Sequence, residues 1–230
     1  MNNHLTAYRL NIFKVSLVFI FIVSCNAIKK FAREANIPYN EEEYESGFEN
    51  EVSRYGIQNG ETILDLGSFT GKFSSVIFKN YPQSQIVLED LWNFKNHLFD
   101  YSFVKNDTIY NYKKNRKYVR GTFKKVPIQS NSFDKILCRR TYHEFRDLNK
   151  SFMMAEIKRL LKDNGELIIV EAIPSYLGEI DTGCKSLYLE ANTIKHQVIK
   201  KGFKFISEDS TTYNLKDSSY RNLSILKFRK

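Results

Sequence analysis

Apolar and polar positions divide the chain into an apolar leader and an alternating body. Arg9 and Lys14 precede an apolar stretch from Val15 to Val23. A positive start followed by a short apolar run is the layout of a secretory signal. Residues 29–53 read as a polar helical lead-in, with Glu41, Glu42, Glu43 and Glu45 forming an acidic turn. From Glu61 onward the pattern alternates. Thr62–Leu66 reads as a short apolar strand, and Gly67–Gly71 as a turn. Helical spacing follows, with Phe73, Val76, Ile77 and Tyr81 on one face and Pro82 at the end. Further strands are predicted at Gln85–Leu88, Tyr118–Phe123 and Phe133–Cys138. A long helix is predicted over Leu148–Lys162, with Phe152, Ala155 and Leu160 among its apolar positions. Asp163-Asn164-Gly165 would stop it, with Gly165 as the left-handed residue past its end. A fifth strand covers Glu166–Glu171, and a helix over Thr193–Lys201 ends at Gly202. Two strands close the chain, near Phe203–Ile206 and Leu223–Phe228.

Strand, helix and strand in repetition predict an α/β fold. The expected form is a Rossmann-like, doubly wound, mostly parallel seven-stranded sheet with helices on both faces. Ligands of such sheets bind beyond the carboxyl ends of the strands, near the point where strand order reverses. No internal repeat or interdomain linker is present. The expected organisation is a leader over 1–24, a lead-in over 25–55 and one folded domain over 56–230.

Composition narrows the class only a little. Apolar residues at 42% and charged residues at 27% suit a globular chain and exclude a disordered one. With 10 Gly and 4 Pro, collagen-like and low-complexity classes are excluded too. No apolar run reaches the roughly 18 residues of a comfortable membrane span. The net charge of +9 permits nucleic acid or anionic membrane as a partner. The basic residues are scattered, however, and Lys, Asn, Ile, Phe and Tyr together point to a genomic bias. The densest basic group is Lys113, Lys114, Arg116, Lys117 and Arg120.

The three cysteines are Cys25, Cys138 and Cys184. No paired-cysteine or His/Cys cluster is visible, which argues against a structural zinc site. The leader ends in Ile22-Val23-Ser24-Cys25. This resembles a bacterial lipoprotein signal, in which the peptide is cut before an invariant Cys that is then lipidated. The resemblance implies that Cys25 becomes a lipidated mature N-terminus holding the chain on a membrane. Asn26 follows it, which points to the outer membrane or the periplasmic face. The alternative is a short uncleaved anchor that leaves the domain in the cytoplasm.

The body resembles class I S-adenosylmethionine-dependent methyltransferase domains, type 11-like. Four blocks carry the resemblance, in the family's order and spacing. Glu61-Thr-Ile-Leu-Asp-Leu-Gly-Ser-Phe-Thr-Gly71 is similar to the first motif, and Glu89-Asp90 closes the second strand. Gly121 to Asp134 is similar to the loop after strand three and the entry to strand four. Glu156 to Val170 is similar to the following helix and fifth strand.

The resemblance implies S-adenosyl-L-methionine as cofactor, held by Asp65, Gly67, Ser68, Gly71, Glu89, Asp90, Thr122 and Phe123. A glycine turn at a helix start brings backbone N–H groups close to a ligand carboxylate. Either Glu89 or Asp90 would accept both ribose hydroxyls. Two departures stand out. Phe69 replaces a middle glycine, and Thr122 replaces the acid that contacts the adenine amine.

After strand four come Arg139, Arg140, Tyr142, His143 and Glu144. His143 is the candidate general base, because its ordinary pKa lies near neutrality. Its alternative is a helix-cap or surface residue. Arg139 and Arg140 would grip an anionic substrate or simply lie on the surface. Glu171 stands at the functional edge of strand five, and Cys138 is expected to pack in the sheet.

The expected function is methyl transfer to a small-molecule or lipid-like acceptor. The alternative is a non-catalytic membrane-tethered lipoprotein that keeps the fold. Nucleic acid is disfavoured, because strand four runs into Arg139-Arg140-Thr141-Tyr142 and not into an Asn/Asp-Pro-Pro-aromatic motif. The lead-in and the insertion over Ser175–Asn192, where the acceptor would be chosen, carry no readable signature.

Overall fold

The computed structural model describes residues 48–68, 71–90, 116–122, 124–145, 147–181, 184–214 and 220–230. The leader, Cys25, most of the lead-in, Phe69 and Phe123 lie outside the described residues.

Five strands run parallel: β1 (Thr62–Leu66), β2 (Gln85–Asp90), β3 (Arg116–Arg120), β4 (Phe133–Arg139) and β5 (Leu161–Ala172). Two more, β6 (Lys204–Asn214) and β7 (Tyr220–Arg229), are antiparallel to their neighbours. Together they form one seven-stranded sheet in the order β3-β2-β1-β4-β5-β7-β6. The chain turns one way from β1 to β2 and β3, then crosses back to lay β4 on the other side of β1. That reversal creates a crevice at the carboxyl ends of β1 and β4, where such sheets bind ligands.

The strands are apolar on both faces because both faces are covered. Leu64, Leu66, Ile136, Cys138, Leu167 and Ile169 point into one core layer. That layer is filled by α2 (Asp147–Leu160) and α3 (Ala191–Lys200), through Met153, Met154, Ile157, Ile194 and Val198. The alternate residues Ile63, Leu137, Ile168 and Val170 point into the second layer. There they meet α1 (Lys72–Asn80) and a helical stretch at 48–53, through Phe73, Val76, Ile77, Phe48 and Val52. Each fully buried Leu, Ile or Phe contributes about 1.5–3 kcal/mol, so this alternation fixes which face each strand presents. Tyr81 closes α1 by donating its N–H to Ile77, and Pro82 supplies no N–H to continue it.

Several expectations need correction. The long helix stops at Leu160, and β5 begins at once with Leu161. Gly165 lies within β5 and has no left-handed φ; the glycine that does close a helix is Gly202, at φ 81° past α3. The register of β4 against β5 shifts between Phe133 and Lys135, which absorbs the polar Lys162–Gly165 segment. Leu160 is buried as expected, but Phe152 is 48% exposed and Ala155 is exposed too; the helix buries Met153, Met154 and Ile157 in their place. The closing strands are longer than their apolar cores suggest, and β3 ends at Arg120, before Gly121.

Candidate functional site

β1 leads into α1 through a turn that the sequence marks with glycines. Gly67 has φ 74°, a conformation that disfavours any side chain. A Cβ there would also lie 2.4 Å from Thr141 Cγ2. The N–H groups of Gly67 and Ser68 both donate to the Glu89 carbonyl, at 2.9 Å each. Gly71 donates to the Ser68 carbonyl at 2.8 Å and caps α1 with φ 69°. These three N–H groups are therefore spent inside the fold. Those of Gly67 and Ser68 lock the turn onto the end of β2, and that of Gly71 closes back on Ser68.

Three acids gather beneath this turn, and all are buried. Asp65 accepts a hydrogen bond from Ser74 Oγ, which ties β1 to α1. Burial pushes its carboxyl up to about 6, against the Ser74 bond and the nearby charge of Arg139. Glu89 is pushed up to about 8, by burial first and then by the charge of Asp90, with the N–H groups of Gly67 and Gly121 opposing. Its Oε1 is buried, has no hydrogen-bond partner among the described residues, and fills the space where Gly121 lacks a side chain. Ser68 Oγ is also buried with no partner among the described residues. Asp90 ends β2, and its carbonyl receives the Gly121 N–H at 3.1 Å.

A buried polar group left unpaired costs about 1–3 kcal/mol. An orphaned carboxyl oxygen and an orphaned hydroxyl at one strand edge suit a ligand that brings its own hydroxyl donors. The residues therefore fit the sugar portion of a nucleoside cofactor. Thr122 departs from its expected role. It is exposed, and its hydroxyl accepts the Lys125 N–H at 3.0 Å, so it holds its own loop.

Beyond β4 the structure separates the two arginines. Arg139 clamps Glu51 through Nε and Nη2, at 2.8 and 3.0 Å. Its guanidinium also stacks 4.2 Å from the Phe73 ring centre and 4.9 Å from that of Phe48. It is neither a surface residue nor a substrate grip. Arg140, at φ 53°, reaches Asp181 at 3.4 Å.

His143 lies on a 3₁₀ turn, Tyr142–Glu144, and is buried. Its Nδ1 sits 2.7 Å from Glu171 Oε2, and its backbone N–H donates to Oε1 of the same carboxylate. Burial alone would lower its pKa. The hydrogen bond and charge of Glu171, helped by Glu144 and Asp181, outweigh this and raise it. Its Nε2 faces Cys184 Sγ at 3.3 Å and Asp181 Oδ2 at 3.9 Å. Cys138 packs in the sheet as expected.

Sequence reasoning missed Glu51, Asp181 and Tyr188. Glu51 stands four residues before Tyr55, whose hydroxyl it receives, but its main partner Arg139 is 88 residues away. Asp181 and Cys184 had a usable signal in their spacing of three residues, and the N–H groups of Cys184 and Lys185 both donate back to Asp181.

A family model described as "Methyltransferase domain" matches residues 57–217. The uncharacterized methyltransferase YcgJ of Bacillus subtilis is 34% identical over 109 residues, which cover 47% of this chain and 40% of that relative. The chain thus matches less than half the length of this relative. Among solved structures, a SAM dependent methyltransferase from Aquifex aeolicus superimposes with a TM-score of 0.64 at 16% identity, over 86% of this chain and 97% of that one. The Burkholderia thailandensis 1,6-didemethyltoxoflavin-N1-methyltransferase, solved with bound S-adenosylhomocysteine, gives 0.63 at 13% identity, over 92% and 88%. The order of the strands, the glycine turn over the end of β2 and the match across most of the domain lead to one conclusion: the chain belongs to the methyltransferase domain family.

Proposed function

We propose that the protein transfers a methyl group from S-adenosylmethionine to a small-molecule or lipid-like acceptor. The observation that carries this reading is the orphaned Glu89 Oε1 beside Asp90, under a turn locked by Gly67 and Ser68. Glu89 and Asp90 would receive the ribose hydroxyls, with Ser68 Oγ at the same edge, and Gly121 and Thr122 would lie toward the adenine. The cofactor supplies an electrophilic methyl group on a sulfonium. The chain's own part is to position an acceptor atom that is already nucleophilic, an effect large enough to need no base. His143 is held by Glu171 with Nε2 turned to Cys184 and Asp181, so the proposal routes no proton through it.

The insertion after β5 supports an apolar acceptor. It exposes Tyr176 at 66%, Leu177 at 91% and Leu187 at 53%. Among the described residues no helix is long and apolar enough to cross a membrane. Attachment would fall to a lipidated Cys25, with the domain on the outer-membrane or periplasmic face, or else to a short anchor with a cytoplasmic domain. Labelling cells with a palmitate analogue separates these. A Cys25→Ala chain that still takes up label contradicts lipidation.

The acceptor class is read by incubating the full-length chain with methyl-tritiated S-adenosylmethionine and a cell extract. The expected label appears in the organic-soluble or small-metabolite fraction. Label in neither fraction would overturn the assignment of an acceptor of this kind.

A further inference from the structure

Outside the cofactor edge, one group of side chains has no part in the proposed transfer. His143 Nε2, Asp181 Oδ2 and Cys184 Sγ all lie within 4.8 Å of one another. We propose that these three atoms form a site for a divalent cation of the zinc class, with Glu171 as the carboxylate that orients the imidazole. This stands on the four side chains themselves and does not depend on the methyl-transfer reading.

Glu171 accepts the Nδ1 proton of His143 at 2.7 Å, so Nε2 of the neutral ring carries a lone pair toward Sγ and Oδ2. A ring nitrogen, a sulfur and a carboxylate oxygen then converge, with the thiol proton between sulfur and nitrogen and with Oδ2 also receiving the Tyr188 O–H and the Arg140 guanidinium. A cation completes such a set, and a carboxylate behind the histidine is the usual support of a metal-bound imidazole. Charge points the same way. Glu171 and Asp181 place two carboxylates on the His143 ring nitrogens at 2.7 and 3.9 Å, against the one guanidinium of Arg140 at 3.4 Å from Asp181 Oδ2. Binding would release the thiol proton to solvent and leave a thiolate ligand.

Geometry is close to what an ion needs. Two ligands on a tetrahedral zinc lie roughly 3.2–3.6 Å apart, given bonds of about 2.0–2.3 Å. His143 Nε2 and Cys184 Sγ already stand at 3.3 Å, and Asp181 Oδ2, 3.9 Å from Nε2 and within 4.8 Å of Sγ, must move in toward both. The loop that carries Asp181 and Cys184 is built beforehand. Asp181 N–H donates to Ser186 at 2.8 Å, Lys185 N–H returns to Asp181 at 2.9 Å, and Ile180 bridges Leu187. Tyr188 donates to Asp181 Oδ2 at 2.5 Å and packs on the His143 ring, which steadies both ligands. Cys184 is exposed, which gives an ion its entry path. Thiolate with imidazole and one carboxylate selects zinc or cobalt over magnesium or calcium. Three ligands leave a fourth position for water or another heteroatom.

Cobalt(II) is the probe. The full-length chain, in mild detergent, reduced and stripped of metal, should develop a thiolate-to-cobalt charge-transfer band in the near ultraviolet. Zinc should bleach it. Cys184→Ser should remove the band, and Glu171→Gln should weaken cobalt binding about 10–100-fold, which a bare thiol–imidazole hydrogen bond would not do. Near-ultraviolet circular dichroism confirms that each variant is folded. A folded wild-type chain that gives no band in a large excess of cobalt overturns the proposal. So does a band that persists in Cys184→Ser. No S-adenosylmethionine is present, so this result and the test of methyl transfer fail separately.

Discussion

Glu51 Oε1 and Oε2 meet Nε and Nη2 of Arg139 at 2.8 and 3.0 Å, joining the helical stretch at 48–53 to the end of β4. The Glu51 side chain is 1% exposed and that of Arg139 13%, so the pair is shielded from water. Removing one partner would strand the other charge in the interior, at a cost of about 3–5 kcal/mol. Glu51→Ala and Arg139→Ala are each expected to lower the unfolding free energy by an amount of this size. The double variant should lose less than the sum, which chemical denaturation would read directly.

Gly121 has no room for a side chain. A Cβ would fall 1.8 Å from Glu89 Oε1. Gly121→Ala must therefore displace the Glu89 carboxyl. Cofactor affinity should drop about tenfold or more, on the scale of one charged hydrogen bond. Stability should change less, because the obstacle is the end of a side chain. A control at Gly60, where a Cβ meets nothing, has φ 91° and should cost about 1–2 kcal/mol of stability with binding intact.

Glu89 makes a prediction in pH. Its carboxyl is pushed up to about 8 in the fold, from an ordinary value of 4.5. The folded state then holds a proton that the unfolded chain releases. Its contribution to stability is complete below about 4.5 and is lost as pH rises through about 8. Glu89→Gln, which keeps the shape without the charge, should match the wild type at low pH and exceed it above pH 8. Thermal melting across pH, without ligand, checks this. Curves that stay parallel would contradict a Glu89 carboxyl whose charge is disfavoured by burial and by Asp90.

His143 should titrate above its ordinary 6.5. The sign is that of a base gaining a partner: the stabilisation is complete below 6.5 and is lost as pH rises through the higher folded value. Glu171→Gln removes the main raising influence and leaves burial, which lowers. The imidazole midpoint, read by NMR, should fall in that variant. An unchanged midpoint would show that Glu171 does not control the ring.

Much of this was legible along the chain, for local reasons. β1, β2, β4 and α1 were readable because their apolar spacing and their stops, Gly67 and Pro82, are sequence-adjacent. The acids at the end of β2 were readable because the turn that faces them is marked by glycine. Phe152 misled because an aromatic side chain in a helix need not be on its buried face, and Met153 and Met154 took that face instead. Gly165 misled because the β4–β5 register shift, which depends on Phe133 and Lys135, is invisible locally. Arg139 read as a surface charge or a substrate grip because its partner Glu51 is 88 residues away and reaches it only after folding.

The central claim is that the edge formed by Glu89 and Asp90 holds S-adenosylmethionine. Calorimetric titration of the full-length chain in mild detergent tests it most directly. The account predicts saturable binding of S-adenosylmethionine or its demethylated product, weakened about tenfold or more by Asp90→Ala or by Glu89→Ala. No heat of binding for either ligand at high micromolar concentration, from a chain that melts cooperatively, would contradict it.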